Sequence, residues 1–543
     1  MRTKLMAKMD MDIIKSDVLI IGSGIAGLRA ALEVSKKGKR ALLVSKSPAG
    51  KANNTYLAGG VFTFPTEGRD VETHIEETLQ GGRNLNVRSL VTTAVKEAPA
   101  MVKQLHKMGM KGRFRSTGFS TRSSSLIGGP EVTSTLVRTC QRAGVKFLEG
   151  IMVTDLITDG QACYGATGFQ KRTGEIYGFP ASAVLLATGG AGAIYAQNDN
   201  APGITGDGYV LGMETGLELM DMEFVQFYPL TYAGSGRVRM IVPSVLADVG
   251  KITNRLGEDL KEKYGLYERP IGMVSRDRLA QAFFMEIAQG NGIEGALLLD
   301  MQKVEESMIP LSNRVRDLLK RRFSYGSEPI KITPACHYNM GGLIIDESGC
   351  TPMRGLFAGG EVVGGIDGAN RIGGNALSGS LVFGTLAARS ALEYAVSNLA
   401  LSDFRAMAQV TSQKGFSLVP AKHAKPPNTR FLMRELGQVL WEKVGILRSE
   451  QSLKEGIKRI DEILAELKGH QSGNPQELWR IMECRNAALT GRAISVSALA
   501  RTESRGSHYR SDFPEEDRNW MKHVYVQMKN GLPNVARIVP IAE

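Results

Sequence analysis

Three glycines at fixed spacing are the first residues of the chain that could do chemistry. Residues 17–46 read DVLIIGSGIAGLRAALEVSKKGKRALLVSK: an apolar run, Gly22-x-Gly24-x-x-Gly27, a helical stretch from Leu28 to about Lys37, then a second apolar run. Alone the pattern is weak, but between a strand and a helix inside a βαβ unit it is a strong dinucleotide-binding signature. Gly22 permits the tight turn, Gly24 lets the backbone reach a pyrophosphate, and Gly27 lets helix pack on strand, with the helix N-terminus facing the phosphates. The second run ends in Ser45-Lys46, where an acidic ribose ligand is usual, and this argues against a generic NAD site.

The elements that must position such a site return several times. Asn53-Asn54-Thr55 through Gly59-Gly60, Ala183 to Tyr195, Thr205 to Gly212 and Gly355 to Gly384 are all glycine-rich, and each follows an apolar run or opens a helical one. One sheet revisited from such distant segments implies one large dinucleotide and a domain inserted between the returns. The chain has 543 residues, 43% hydrophobic and 22% charged, a balance that excludes disorder and leaves room for about three or four units.

Composition narrows the partners. No window holds 18 uninterrupted apolar residues, and the start lacks the apolar run and cleavage site of a secretory signal, so a cytoplasmic protein is expected. Five scattered cysteines without a CxxC pair offer neither a zinc knuckle nor an iron–sulfur cluster, and no metal is expected. The net charge of +12 would suit nucleic acid, but the basic runs Lys36 to Arg40 and Lys320 to Arg322 read as solvated ends with no recognition module beside them, so nucleic acid is not an expected partner.

Nine segments together carry a family resemblance: GSGIAGLRAA, LVSK, ATGGAG, TGDG, MEFVQFYP (Met222 to Pro229), SRDRLAQAF (Ser275 to Phe283), PACHYNMGG (Pro334 to Gly342), FAGGE with GANRIGGNALS (Phe357 to Ser378), and ARTESRGSHYRSDFPEEDRNWMKH (Ala500 to His523). They run nearly end to end, and the chain resembles the flavoprotein subunit of the succinate dehydrogenase and fumarate reductase family, which includes L-aspartate oxidase. The resemblance implies an α/β fold: a Rossmann-like FAD-binding domain over 12–207 and 334–400, an inserted capping domain over 208–333, and a C-terminal helical domain and tail over 425–543. Past the PPNTR junction, Leu432, Leu436, Val439 and Leu440, then Ile457, Ile460, Ile463, Leu464 and Leu467, recur at helical spacing as core stripes.

The resemblance places FAD against Gly22, Ser23, Gly24, Ala26 and Gly27, against Ser45 and Lys46, and against the Asn54, Thr55, Gly59 and Gly60 segment. It gives Asp207 and Glu361 the adenosine and ribityl hydroxyls, which suits carboxylates because they offer only acceptors, and it brings Ala376 and Leu377 to the flavin ring. Asp207 in TGDG also reads as a helix N-cap. Many relatives attach FAD through a histidine where this chain has Asn54. A carboxamide cannot form that bond, so FAD is expected to be non-covalent, with a lower reduction potential than in a covalently linked relative.

The reaction implied is hydride exchange between flavin N5 and one carbon of a C=C beside a carboxyl, with Arg276 handling the proton and His337 and Arg371 holding the carboxylate. A cationic fork plus imidazole is suited to that charge. The sequence departs from the family at the other end of the pocket. Tyr228 replaces a histidine, Met240, Ile241 and Ser244 fall where a polar relay is usual, and Asp367 replaces another histidine. Burying a second carboxylate against Met240 and Ile241 would cost several kcal/mol. The expected substrate is therefore an enoate or related carboxylic acid with one acidic head and an apolar or aromatic tail against Tyr228, unless Arg237 or Arg239 supplies charge there. Electrons are expected to pass through an iron–sulfur subunit, with oxygen, a soluble carrier or a quinone reached through partners as the alternatives, and with the complex at the inner face of a membrane through partners. The other readings are an ordinary fumarate reductase or succinate dehydrogenase flavoprotein subunit, an L-aspartate oxidase-like enzyme, and a flavin-binding subunit without catalysis.

Overall fold

A computed structural model describes residues 11–121, 128–234, 239–271, 276–309, 311, 313–324, 326–394, 403–405, 407–408, 427–468, 472 and 474–541. Ser275 of the SRDRLA segment, Arg237, Pro426 of the PPNTR junction and the ends of two expected domains, 395–400 and 425–426, lie outside the described residues.

The apolar runs around the glycine signature form the centre of a parallel sheet. Ser16–Ile21 lies between Ala41–Ser45 and the second half of Ile176–Leu186, with Lys146–Glu149 beyond one side and Leu356–Ala358 paired to the other. Val18 to Ile21, Leu42 to Val44 and Val184 to Leu186 are almost wholly buried, as expected of strands covered on both faces. The first half of Ile176–Leu186 turns to antiparallel partners, Cys163–Gln170 and then Ile151–Thr158. The first helix, Ile25–Lys36, begins three residues earlier than its sequence suggests and packs between the sheet and the helix Asn375–Glu393. Its entry requires glycine: Gly22 has φ +114°, and a Cβ there would lie 2.1 Å from the Ala187 carbonyl oxygen. The expected α/β class is what these elements form.

Between the two returns to this sheet stands a second one, ordered Met240–Ile241, Val225–Tyr232, Ile330–Asn339, Leu297–Asp300 and Lys251–Thr253, antiparallel throughout. The helix Arg276–Ala288 packs on Val225–Tyr232, and Leu230, Val242, Phe283, Leu299 and Ile332 share a separate core. One irregularity matters for the site. Gln226 pairs with Tyr338 and Phe227 with Cys336, so His337 is the extra residue of a β-bulge. Bulges re-aim a side chain out of the ladder.

The expected helical stripes are core in part: Val439, Ile457 and Leu464 are half-buried, and Leu453 joins the stripe in addition. Leu432, Leu436 and Leu440 on Thr429–Lys443 and Leu453, Ile460, Ile463 and Leu467 on Glu450–Leu467 are buried, and the long helix Pro475–Ala500 packs beside them. The tail that follows these helices is extended. Lys522–Lys529 and Leu532–Pro540 form a hairpin whose first strand joins Leu219–Met220, which in turn pairs with Gly342–Leu343. The turn is Asn530-Gly531, both at positive φ (54° and 78°), the strongest short hairpin signal a sequence carries.

Candidate active site

A cavity of about 440 Å³ opens where the glycine-rich returns meet. Gly22, Ser23, Gly24 and Ala26 line it, while Gly27 lies beneath, where a Cβ would strike the Gly22 carbonyl oxygen at 2.0 Å. Two helix starts face it, those of Ile25–Lys36 and Asn375–Glu393, the latter through Ala376 and Leu377. Neither N-cap residue, Gly24 or Gly374, has a side chain to cap its helix, and neither helix has an acidic residue in its first turn, although Thr55 Oγ1 takes the Ile25 N–H of the first. Such ends carry unsatisfied N–H groups and partial positive charge, and so favour an anion.

At one end, Lys46 leaves the strand Ala41–Ser45 and its Nζ donates to Gly203 O (3.0 Å), Thr205 Oγ1 (3.1 Å) and Asp207 Oδ2 (2.8 Å), with Glu483 Oε1 at 2.8 Å. Burial works against its charge, but Asp207 and Glu483 hold its pKa above the usual lysine range. Asp207 is the first residue of a short helix whose N-cap is Gly206, and it also accepts from Asn486 Nδ2 (2.9 Å). Ser45 also lines the cavity, its hydroxyl donating to Ser47 O (2.7 Å). Trp479 and Lys171, which the sequence reading did not single out, complete this end, with the ammonium 4.5 Å from the indole ring.

In the middle, Asn54 joins three segments. Its Nδ2 donates to Asn200 Oδ1 (2.6 Å) and Glu361 Oε2 (3.1 Å), and its Oδ1 accepts from the Ala201 N–H (3.1 Å). Glu361 also accepts from the Asn339 N–H (3.2 Å), and burial pushes its pKa up to about 7. Thr55 accepts from the Ile25 N–H at 3.1 Å. Gly59 and Gly60 are not at the cavity wall. Gly60 is packed against Gly128, and its carbonyl accepts from Thr121.

The opposite end is cationic. Arg371 and His337 line it, and Arg276 and Tyr228 are buried beside them. The Arg276 guanidinium sits over the Tyr228 ring (5.2 Å) and that of Arg371 over the Tyr338 ring (4.5 Å). Gln226 links the two arginines: its Oε1 accepts from Arg276 Nη1 (3.3 Å) and Arg371 Nη2 (3.0 Å). Burial and the neighbouring Arg371 bring the Arg276 pKa down to about 10. His337 Nδ1 lies 2.7 Å from Asp199 Oδ2, and burial holds the imidazole pKa below its usual value against the pull of Asp199.

The residues of the expected apolar end separate. Ile241 lines the cavity. Met240 does not: its Sδ accepts from Arg322 Nη1 at 3.3 Å, because alternate residues of a strand face opposite ways. The Tyr228 hydroxyl donates to the Val242 carbonyl (3.0 Å). Arg239 is committed to Gln197 Oε1 (2.8 Å) and to the Gly234 carbonyl. Asp367 lies outside the cavity wall, bonded to Tyr338, and burial raises its pKa to about 6.

These residues fit a dinucleotide flavin. Thr188 Oγ1, Arg371 Nε and Trp479 Nε1 all belong to residues lining the cavity, and these atoms have no hydrogen-bond partner among the described residues. Together with the two helix starts, whose N-cap glycines carry no capping side chain, they form a donor set suited to acceptors. Gln226 and Asp199 went unremarked in sequence, although Gln226 stands inside the MEFVQFYP segment.

Comparisons with known proteins agree. The FAD binding domain family matches residues 17–377, and the family described as fumarate reductase flavoprotein C-term matches 433–537. The chain is 33% identical to a subunit of the CoM/CoB fumarate reductase of Methanothermobacter marburgensis, covering 96% of this chain and 98% of that protein. It is 30% identical to L-aspartate oxidase of Streptomyces coelicolor, covering 95% and 92%. Among solved structures, a mutant of E. coli quinol fumarate reductase FrdA aligns with a TM-score of 0.87 at 27% identity, covering 98% of this chain and 97% of that one.

Proposed function

The chain belongs to the fumarate reductase and succinate dehydrogenase flavoprotein family of FAD-dependent oxidoreductases, and from that premise we propose that it reduces or forms a C=C bond beside the carboxyl of a substrate with one acidic head and an apolar tail. Ile241 at the cavity wall carries this reading. Of the groups near it, the Tyr228 hydroxyl is used by Val242 and the Arg239 guanidinium by Gln197 and Gly234, so a second carboxylate would meet hydrocarbon where it needs donors.

Residues Gly22 to Ala26, Ser45, Lys46, Asn54, Glu361, Ala376 and Leu377 would hold FAD, non-covalently because Asn54 cannot form a histidyl bond. When bound, the flavin supplies the hydride donor or acceptor. Arg371 and His337 bind the substrate carboxylate, the guanidinium as a bidentate fork. Gln226 keeps the two guanidiniums side by side. Arg276 holds the transferable proton on its guanidinium, and a pKa near 10 makes it a far better acid than an exposed arginine. Desolvation and Arg371 together create that acidity.

In this reading 12–207 with 334–400 is the FAD-binding domain, 208–333 the cap and 425–543 the C-terminal domain. The electron partner is an iron–sulfur subunit: the fumarate reductase relatives are named as subunits, although the L-aspartate oxidase relative is not, and five scattered cysteines, four of them buried, do not form a cluster site here. Among the described residues no helix is long and apolar enough to cross a membrane, and membrane association would come through such partners.

The test is anaerobic. The flavoprotein is reduced with dithionite and its flavin reoxidation recorded with fumarate, crotonate, cinnamate and larger enoates. Fast reoxidation by monocarboxylates with apolar tails and slow reoxidation by fumarate is expected. Reoxidation by fumarate at least as fast would make this an ordinary fumarate reductase subunit.

A further inference from the structure

The cationic end of the cavity contains an acid that the carboxylate-binding role does not require. Asp199 lines the cavity, its side chain is 3% exposed, and its Oδ2 stands 2.7 Å from His337 Nδ1 while Oδ1 accepts from Asn200 Nδ2 at 3.3 Å. It belongs to the segment that Asn54 pins through Asn200 and Ala201, and that segment is tied to the strand of His337 as well: the Asp199 N–H donates to the Cys336 carbonyl (3.1 Å) and Asn200 Nδ2 to the His337 carbonyl (3.2 Å). The partner histidine is the bulged residue of Ile330–Asn339, turned out of the ladder to meet it.

The charges at this end can be counted. Arg276 and Arg371 bring two positive charges. Asp199 opposes them from the cavity side, and Asp367, which feels the charge of Arg371, opposes them from outside the wall. Asp277 is offset by Arg83, 3.3 Å away. Set against Asp199 alone the two arginines leave one positive charge for a substrate, and set against Asp199 and Asp367 together they leave none; Glu361, which also lines the cavity and feels Arg371, adds no positive charge. On either count a dianion leaves one more uncompensated negative charge than a monoanion in a buried site, where charge is costly.

We infer that Asp199 is a specificity-determining residue: by holding His337 through Nδ1 and setting a fixed negative charge beside the Arg371–His337 pair, it restricts the cavity to substrates with a single carboxylate. The inference rests on the reading that Arg371 and His337 receive the substrate carboxylate. It adds an electrostatic cause for a restriction so far argued from the apolar wall alone.

The experiment measures binding rather than turnover. Holoprotein is titrated with butyrate and with succinate, and the perturbation of the flavin absorbance gives the ratio of the two dissociation constants. In the wild type butyrate is expected to bind at least about 10-fold more tightly. In Asp199→Asn and Asp199→Thr that ratio is expected to fall on the order of 10- to 100-fold through tighter succinate binding, as removing one charge a few ångströms from a second carboxylate should give. Asp199→Glu, which keeps the charge, should keep the preference. Using two neutral variants of different shape, each checked for bound flavin, separates loss of charge from loss of fold. A preference for butyrate that persists unchanged in both neutral variants would overturn the role of Asp199 and leave the substrate reading intact. Equal binding of both ligands by the wild type would overturn the substrate reading and this inference together.

Discussion

Gln226 and Arg371 hold each other by reciprocal hydrogen bonds: the Gln226 amide nitrogen donates to the Arg371 carbonyl oxygen (2.9 Å), and the Arg371 guanidinium donates to the Gln226 amide oxygen (3.0 Å). A further bond from the amide nitrogen to Asn370 Oδ1 (2.8 Å) fixes which way the amide faces. Its oxygen is thereby presented to Arg276 as well, and two buried cations that would repel each other share one acceptor. Gln226→Leu leaves two guanidiniums short of that acceptor. It is expected to destabilise the fold by about 2–4 kcal/mol and to weaken carboxylate binding at least about 10-fold, because a buried charged donor without its partner carries its full desolvation cost. Thermal unfolding and ligand titration of the flavin spectrum check both.

Arg276→Lys separates proton handling from binding. Arg371 and His337 still receive the carboxylate, so ligand affinity should change by less than about 10-fold. An ammonium cannot reproduce a guanidinium that contacts both Gln226 and the Tyr228 face, and turnover should fall about 10³-fold, within the range general acids contribute. Reduction of the flavin by dithionite should be unaffected. A variant with unchanged turnover would remove Arg276 from the proton step.

The parts of this molecule legible in sequence are those written in short-range patterns. The strand, Gly22-x-Gly24-x-x-Gly27 and helix unit, and the leucine and isoleucine stripes from Leu432 to Leu467, are read from neighbours within a turn or two, and the structure keeps them. The site was legible only where long segments matched a family. Asp199 and His337 are 138 residues apart, and Gln226 and Arg371 145, so nothing local in either pair announces its partner. Met240 and Ile241 are neighbours in sequence but not in the site: strand alternation sends Ile241 to the cavity and Met240 to Arg322. The C-terminal hairpin carries a local signal in Asn530-Gly531 that went unremarked in sequence, and its neighbour Leu219–Met220 comes from about 300 residues earlier.

Asn54 decides how the flavin is kept. Acid precipitation of the holoprotein should release all of its FAD into the supernatant, since no histidine stands at this position. Asn54→Ala removes two donated bonds and one accepted bond among residues 54, 200–201 and 361. Each group left without a partner costs about 1–3 kcal/mol. FAD affinity should fall at least about 10-fold, read as flavin lost on gel filtration. Retention of flavin in the acid pellet of the wild type would refute the non-covalent reading.

Glu361 gives the ligand-free protein a pH signature. Burial raises its pKa from the ordinary 4.5 to about 7, opposed by hydrogen bonds from Asn339 and Asn54. A carboxyl whose pKa is higher folded than unfolded binds its proton more tightly in the native state. Its stabilising effect is therefore complete below about pH 4.5 and is lost as pH rises towards 7, by on the order of 3 kcal/mol. Asp367, raised to about 6, acts in the same direction between about pH 4 and 6, whereas His74, lowered to about 4 by burial, acts oppositely between about pH 4 and 6.5. Burial also shifts Asp155, Asp277, Glu223 and His337, so the wild-type profile alone mixes several groups, and comparison with Glu361→Gln isolates one. The melting temperature of flavin-stripped wild type relative to the variant should decline from pH 5 to pH 7 and level off above pH 8. A constant difference across that range would mean that Glu361 stays ionised in the fold, and that Asn54 and Asn339 outweigh its burial.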